Sequence, residues 1–398
     1  MIKKIFLLIF ITMFLTGCSN NKKTEILTFW TLQMGDFSPY INKIIAEYEV
    51  KNPNIKIKWI DVPFSEGEKR TLAAVMTDCP PDLVNLNPDF SALLAQKGTL
   101  EEISEDKLKS FNSEILNALK YNGKIYSIPW YATSAITIYN KDLLKKAEIN
   151  KLPETYEDIA KISSQIKSKT SAYSFIPTIT ENDTMIKILN KYGVSEVSEY
   201  DSEKSVKIFE MFKNLYMNNL IPPETITMTH REGLEQYMAG KTVFYQGGAN
   251  FLNMIKENAP KIYQNTDVTS QIKGDIGQND FSLMNFVIPI KAKHKTEALD
   301  FCLYLTNKEN QLELAKMTNI ISTDDEALKD KFYNDFSDLT SKARSISAKQ
   351  INKINPQLKQ KRNQKEINLV INSAVQSVLL NQGDTKEILK NSLKKLNY

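Results

Sequence analysis

The sequence predicts an α/β protein of two domains, with helices layered on largely parallel strands. Three observations carry that prediction. The chain has 398 residues, too long for one hydrophobic core of ordinary size. Its composition, 42% hydrophobic and 25% charged, is that of a soluble globular protein rather than a disordered or collagen-like one. The opening of the folded chain alternates strand, helix, strand, helix, strand, an order that implies α/β layers.

The elements follow in order. Residues 26–31, Ile-Leu-Thr-Phe-Trp-Thr, read as the first strand. Ser38-Pro39 opens a helix, with Ser as N-cap and Pro at the first helical position. Ile41, Ile44, Ile45 and Tyr48 then recur at helical spacing until Asn52-Pro53-Asn54 ends the pattern. Ile55, Ile57 and Trp59 alternate with Lys56 and Lys58, which is a strand with one buried face. A helix over 65–77, the break at Pro80-Pro81 and a strand over 82–87 complete the opening unit.

Beyond it, an amphipathic helix is expected over 105–121, and Asn122-Gly123 signals a turn. Strands are expected over 125–130 and 135–140, split by residues 131–134, with a short helix over 141–149. Thr155 with Asp158 three positions on has capping-box spacing, before a helix whose core face is Ile159, Ile162 and Ile166. A strand starts at 172–176, a helix covers 202–219, and a strand over 242–245 ends at Gln246-Gly247-Gly248. A strand over 285–290 contains Pro289, which places it at an edge or makes Pro289 its end. Residues 296–317 form one helix or a broken pair, and 331–398 are helix-rich.

The first eighteen residues have a separate logic. Lys3 and Lys4 precede an apolar run over 5–15 that is too short to span a bilayer. It ends in Leu15-Thr16-Gly17-Cys18, which resembles a bacterial lipobox. That resemblance implies removal of residues 1–17 as a signal peptide, with a lipid on the Cys18 thiol. Residues 18–24 become a polar tether holding the protein to a membrane without spanning it. The protein is then extracytoplasmic. Cys79 and Cys302 remain, and they are expected to be free, buried thiols.

Several chemistries are excluded or disfavoured. The only histidines are His230 and His294, and there is no H-E-x-x-H or C-x-x-C pattern, so neither a metal site nor a catalytic residue is assigned. The formal charge of +4 is small for this length, which argues against a nucleic-acid partner. There is no P-loop and no cofactor motif.

The order of segments is similar to that of the extracellular solute-binding proteins of ABC importers, in the sugar-binding group that includes maltose-binding protein. The matching stretches are 27–30 (Leu-Thr-Phe-Trp), 48–57 (Tyr-Glu-Val-Lys-Asn-Pro-Asn-Ile-Lys-Ile), 81–84 (Pro-Asp-Leu-Val), 122–129 (Asn-Gly-Lys-Ile-Tyr-Ser-Ile-Pro), 139–144 (Tyr-Asn-Lys-Asp-Leu-Leu) and 152–158 (Leu-Pro-Glu-Thr-Tyr-Glu-Asp). Met238-Ala239-Gly240-Lys241 and Gly247-Gly248 follow. The resemblance implies the two-lobed periplasmic-binding-protein type II fold with a hinge between the lobes. The first lobe would be 25–132 with 286–330, and the second 133–285 with 331–398. It also implies a monomer, a small-molecule solute, a sugar above all, and permease subunits in the membrane as partners.

Sugar recognition needs flat apolar faces and convergent planar polar groups. In open α/β sheets these gather beyond the carboxyl ends of strands. That rule selects Trp30, with Gln33 and Asp36 in the loop behind it, and Asn87 and Asp89, which bind hydroxyls or cap the helix at 90–96. By the resemblance, aromatic residues at the first crossing face the cleft, which adds Trp130 and Tyr131. Gln246, Gly247, Gly248, Asn250 and Phe251 surround the glycine pair, where backbone approaches a ligand closely. Many relatives carry a Trp in this loop, so Phe251 stands as its replacement. Asn285 marks the return crossing. Two other functions compete. A secreted glycoside hydrolase would need a pair of carboxylates across a sugar, and a binder of phosphorylated polyols would draw on scarce arginines such as Arg70 and Arg231.

Overall fold

The computed structural model describes residues 24–277, 279–351 and 364–396. The expected signal peptide, the lipidation site Cys18 and the tether as far as residue 23 lie outside the described residues.

The chain opens with β1 (Glu25–Leu32), α1 (Ser38–Lys51), β2 (Ile55–Val62), α2 (Phe64–Val75), β3 (Leu83–Leu86) and α3 (Pro88–Gln96). β1 pairs in parallel with both β2 and β3, as helical crossovers between strands require. Ser38 is already helical and makes no cap. A short 3-10 turn at Gly35–Phe37 runs straight into α1, with Pro39 in its first turn.

The helix expected over 105–121 is broken. Asn112 accepts hydrogen bonds from the amides of Glu114 and Ile115 and starts a separate short helix, Ser113–Ala118. Lys120–Tyr121 and Lys124–Ile125 then form a hairpin. Its turn is Asn122-Gly123 with both φ values positive, 50° and 78°, as a two-residue hairpin turn of this twist demands.

β4 (Ile128–Ser134) and β5 (Ile136–Asn140) are separated by Ala135 alone, so residues 131–134 are strand, not the expected break. There the chain changes sheet. After α4 (Tyr156–Thr170), β6 (Tyr173–Phe175), α5 (Thr184–Lys191), α6 (Glu203–Met217), α7 (His230–Met238), β7 (Thr242–Gly247), α8 (Phe251–Asn258) and β8 (Thr266–Ser270), it returns as β9 (Phe281–Val287). α9 (Lys295–Leu305), α10 (Lys308–Thr318), β10 (Ile321–Ser322), α11 (Leu339–Gln350), α12 (Gln364–Leu379) and α13 (Thr385–Lys395) follow. The region 296–317 is thus a broken pair, and Pro289 lies just past its strand.

The larger sheet has the order β10-β4-β9-β3-β1-β2 and the smaller β8-β5-β7-β6. β9 runs antiparallel to both β3 and β4, so the large sheet is mixed rather than largely parallel. Pro129 sits within β4, a strand with partners on both sides. Its missing N–H breaks the ladder, and the β4–β9 register shifts between Met284 and Asn285, whose partners are Tyr131 and Pro129.

Each sheet has its own core. Phe29, Trp130, Phe286 and Phe301 centre the first, with ring centroids 4.6 Å apart for Trp130–Phe286 and 5.3 Å for Phe29–Phe301. Phe175, Phe212 and Tyr156 centre the second, and α12 and α13 close it with Ile367, Ile371, Val375 and Leu389. α11 serves both sides: Ala343 packs on the small-sheet side and Ala348 on the large-sheet side. Cys302 is buried in the first core, whereas Cys79 is exposed on its loop, against expectation; both are free.

Candidate functional site

The site forms where the sheets meet. Three passages of chain cross there: Ser134–Ala135, the segment from Gln271 to Asp280, and α11 at Gln350. One buried polar knot ties them. Gln350 Nε2 donates to Ser134 Oγ (2.9 Å) and Ala135 O (2.8 Å), and Gln350 Oε1 accepts from Gln271 N (2.8 Å). Gln271 Nε2 donates to Ser134 Oγ (3.2 Å) and Asp280 O (3.0 Å). Lys191, at the end of α5, plugs the knot from the second core. Its ammonium donates to Gln271 Oε1 (2.9 Å) and Ile272 O (2.7 Å) and pairs with Asp280 Oδ2 at 2.9 Å. Burial alone would lower the Lys191 pKa, but the Asp280 charge and the Tyr156 hydroxyl hold it above the ordinary lysine value.

Above the knot lies a cavity of about 470 Å³, within the usual range for small-molecule sites. Thr133, Ser134 and Asp280 to Ser282 line it from the crossings. Tyr156, Thr178, Asp183, Lys187, His230 and the 245–251 loop line it from the second core. A smaller cavity of about 210 Å³ continues past Thr133, Ser134, Gly248 and Asn250 to Met34, Phe37, Tyr131 and Ile320. Both chambers expose more apolar than polar surface, and the charged side chains, Asp183, Lys187, Lys191 and Asp280, line the larger one.

Local chemistry explains the shape. A Cβ on Gly247 would stand 2.6 Å from the Tyr245 ring and 2.8 Å from the Phe251 ring, and one on Gly248 would stand 2.3 Å from Asn250 Oδ1. The glycine pair therefore lets the loop fold tightly over β7. Gln246 Nε2 donates to Tyr156 Oη (3.4 Å). Glu181 accepts from the His230 backbone N–H (2.7 Å) and contacts its imidazole, and Thr178 Oγ1 lies 3.0 Å from His230 Nδ1. Burial would raise the Glu181 pKa, but the His230 contacts hold it below the usual glutamate value. Lys187 pairs with Asp183 at 3.2 Å. Despite burial, Asp183 and Asp280 keep its ammonium above the ordinary lysine value.

The expected residues fall into three groups. Tyr131, Gln246, Gly247, Gly248, Asn250 and Phe251 come together around the two chambers. Phe251 is half-buried and meets Tyr245 edge-on at 6.0 Å. Asn87 caps α3 through Phe90 N (2.8 Å) and donates to Glu68 (3.3 Å), so it has the capping role. Asp89 stands exposed beside it in the first turn of α3.

Trp130 and Asn285 are corrections. Trp130 is 0% exposed and packs on Phe286, because it shares the core-facing side of β4 with Ile128 and Ala132, while Tyr131 and Thr133 take the other side. Asn285 is also fully buried, and its Nδ2 donates to Ser91 Oγ at 2.7 Å. Trp30 packs against the Val62–Val75–Phe90 cluster with Arg70 over its ring at 5.7 Å, and lines neither chamber. Gln33 is an exposed residue with φ 52° in the loop after β1. The Asp36 side chain lies outside the described residues.

Sequence reasoning missed Asp183, Lys187, Lys191, Asp280 and Tyr156, and gave His230 no role. One signal was present. Asp183, Lys187 and Lys191 recur at four-residue spacing and share one helix face. Such a stripe normally faces solvent, and only the packing of α5 against the crossings turns it inward.

Comparison with known proteins agrees with this architecture. The family described as bacterial extracellular solute-binding protein matches residues 43–340. The multiple sugar-binding protein of Streptococcus mutans is 24% identical over 312 residues, covering 72% of this chain and 73% of its own. A provisionally assigned oligosaccharide periplasmic-binding protein from Synechococcus sp. MITs9220 has a TM-score of 0.85 at 25% identity, over 93% of this chain and 98% of that one. Maltose-bound MalE3 of T. maritima has a TM-score of 0.74 at 20% identity, over 94% and 99%. These relatives are binding proteins rather than enzymes. With two sheet-and-helix layers around a shared cavity, and a family match across most of the folded chain, this protein belongs to the bacterial extracellular solute-binding proteins and works outside the cytoplasm.

Proposed function

We propose that the protein captures a sugar or oligosaccharide between its lobes and delivers it to the permease of an ABC importer, as a monomer anchored by lipid on Cys18. The observation that carries this reading is the two-chambered cavity built from both sheets and all three crossings. Hydroxyl-binding groups such as Gln246, Asp183 and Asp280 line one chamber, and Tyr131 and Phe37 offer ring faces in the other. The lobes of this reading are the two sheet-and-helix layers, joined at Ala135, at residues 271–280 and at α11. Closure is rotation about these crossings.

The phosphorylated-polyol reading loses its arginines. Arg231 is exposed and paired with Glu235, and Arg70 sits with Glu66 and the Trp30 ring.

A thermal-shift screen of mono- and oligosaccharides on the mature protein tests the binding claim. A saccharide that raises Tm supports it, and silence across a broad panel refutes it. Cys18→Ser tests the anchor. An unlipidated, uncleaved precursor is expected, and normal maturation of that variant would sink the lipoprotein claim.

A further inference from the structure

Glu25, His294 and Glu297 converge at the amino end of β1, away from both chambers. One ligand atom from each, two carboxylate oxygens and a ring nitrogen, lies within 4.8 Å of the other two. Two segments distant in sequence bring them there, and backbone bonds hold both. Glu25 pairs with Ile55 across β1–β2, and its N–H donates to Asn54 O at 2.9 Å. His294 stands at the N-cap of α9 with Glu297 in the first turn, and its carbonyl accepts from Ala298 N at 2.8 Å. Asp82 ties the two segments together. Its Oδ2 accepts from Thr28 N of β1 at 2.8 Å and its Oδ1 from His294 N at 3.0 Å. The fold therefore places the three side chains, and their contact with one another does not.

That contact is poor for an ion-pair network. His294 Nδ1 is 3.4 Å from Glu25 Oε2, whereas a charge-assisted N–H···O bond closes to about 2.7–2.9 Å. Among the described residues none of the three side chains makes a hydrogen bond, and Glu297 has no ion pair. The lysines of the same loop do not fill the gap. Lys291 turns to Asp78 at 2.8 Å, Lys295 turns to Glu101 at 3.0 Å, and Lys293 is exposed.

A separation of 3.4 Å fits metal ligation better. Zn2+ holds imidazole nitrogen and carboxylate oxygen at about 2.0–2.2 Å, so the edge of its coordination tetrahedron is about 3.3–3.6 Å. One imidazole with two carboxylates is a zinc-type donor set, whereas Ca2+ and Mg2+ prefer oxygen alone. The side chains of His294 and Glu25 are 24% and 48% exposed, which leaves an ion a path in and room for water at its open position. The positive end of α9 opposes a cation with about half a charge, against two full carboxylate charges.

We propose that Glu25, His294 and Glu297 form a divalent-metal site of the zinc class, which clips the first residue of β1 to α9. Leu32, at the other end of β1, is about 23 Å away along the strand, and the chamber residues Met34 and Phe37 lie beyond it. The ion thus sits on the far side of the first core from the cleft and holds no saccharide. It pins the strand where the preceding chain joins the fold, whatever the cleft binds.

The test is titration calorimetry of the chelator-treated mature protein with zinc chloride at about pH 7.5, with calcium chloride as the control. One zinc ion per chain should bind with a Kd on the order of 1 µM, weaker than a four-ligand thiolate site because only three ligands and no sulfur hold it. Calcium should bind at least about tenfold more weakly. His294→Gln and Glu297→Gln should each weaken zinc at least about tenfold, since losing even an outer-shell partner costs about 10–100-fold. Without metal, the Tm of each variant should stay within about 2 °C of the parent. Zinc at a hundredfold excess over Kd should raise the parent Tm by about 5 °C and leave the variants far behind. No zinc binding overturns the proposal. So does binding that survives both substitutions, which puts the ion at His230 and Glu181 or at Cys79, and so does zinc that competes with a saccharide. Calcium binding as tightly as zinc overturns the donor assignment.

Discussion

Lys191→Met removes the plug of the crossing knot and leaves its volume largely in place. The ammonium is 3% exposed and serves Asp280 Oδ2, Gln271 Oε1 and Ile272 O at 2.7–2.9 Å. A thioether offers no donor. Ile272 O then loses its partner at about 1–3 kcal/mol where water cannot reach, while Gln271 Oε1 keeps the Asp280 N–H at 2.9 Å. Breaking a buried ion pair from one side costs about 3–5 kcal/mol. These costs overlap, because one group serves all three acceptors. Asp280 is 27% exposed and can recover some hydration. The expected loss is therefore near the bottom of the combined range, about 3 kcal/mol. At roughly 2–4 °C per kcal/mol for domains of 150–250 residues, Tm should fall by about 6–12 °C in scanning calorimetry. The double variant K191M/D280N should recover part of that loss, because an amide needs no counter-charge. A fall of less than about 2 °C would refute the reasoning, since it is what an ordinary surface charge gives.

Three other outcomes follow from the geometry. Trp130→Phe should lower Tm while changing saccharide affinity less than about twofold in calorimetry, because Trp130 is wholly enclosed in the first core; a large affinity loss at unchanged Tm would return it to the binding surface. In the native mature protein a maleimide should label Cys79, which is exposed, and spare Cys302, whose thiol is buried and pushed well above its ordinary pKa; labelling of both without denaturant would contradict that burial. Glu181 is a carboxylate held below its ordinary pKa by His230, so its contribution is present above about pH 4.3 and lost as pH falls through the lower folded value. The stability cost of Glu181→Gln, measured by urea titration, should accordingly be largest at neutral pH and shrink in acid, and a pH-independent cost would contradict it.

Local signals in the sequence were strong where one residue type has one physical use. Thr155 and Asp158 form the capping box they announce, with Asp158 N donating to Thr155 Oγ1 at 3.2 Å. Asn122-Gly123 makes its hairpin, and the parallel β1–β2–β3 unit follows from the opening alternation. The loop around Gly247-Gly248 was legible as part of a cavity wall because glycine pairs mark close backbone approach. Asn87 was legible only as a choice between capping and binding. The choice depends on whether its side chain meets Phe90 N or a ligand, and that is a matter of position.

What the sequence alone determined is the α/β class, the family and a loop that lines the cavity, because these rest on periodicity, turn chemistry and ordered short motifs. What only the tertiary structure decided is which side chains share the cavity. Trp130 was lost to the core because its side of β4 is the one covered by Phe29, Phe286 and Phe301, which come from strands and a helix distant in sequence. Asp183, Lys187, Lys191 and Asp280 were invisible as a group because they come from a helix of the second lobe and from a crossing about 90 residues further on. The burial that makes Lys191 consequential is a property of the packing between those segments. A charge's worth depends on how much water and how many opposite charges surround it, and no single stretch of chain states either.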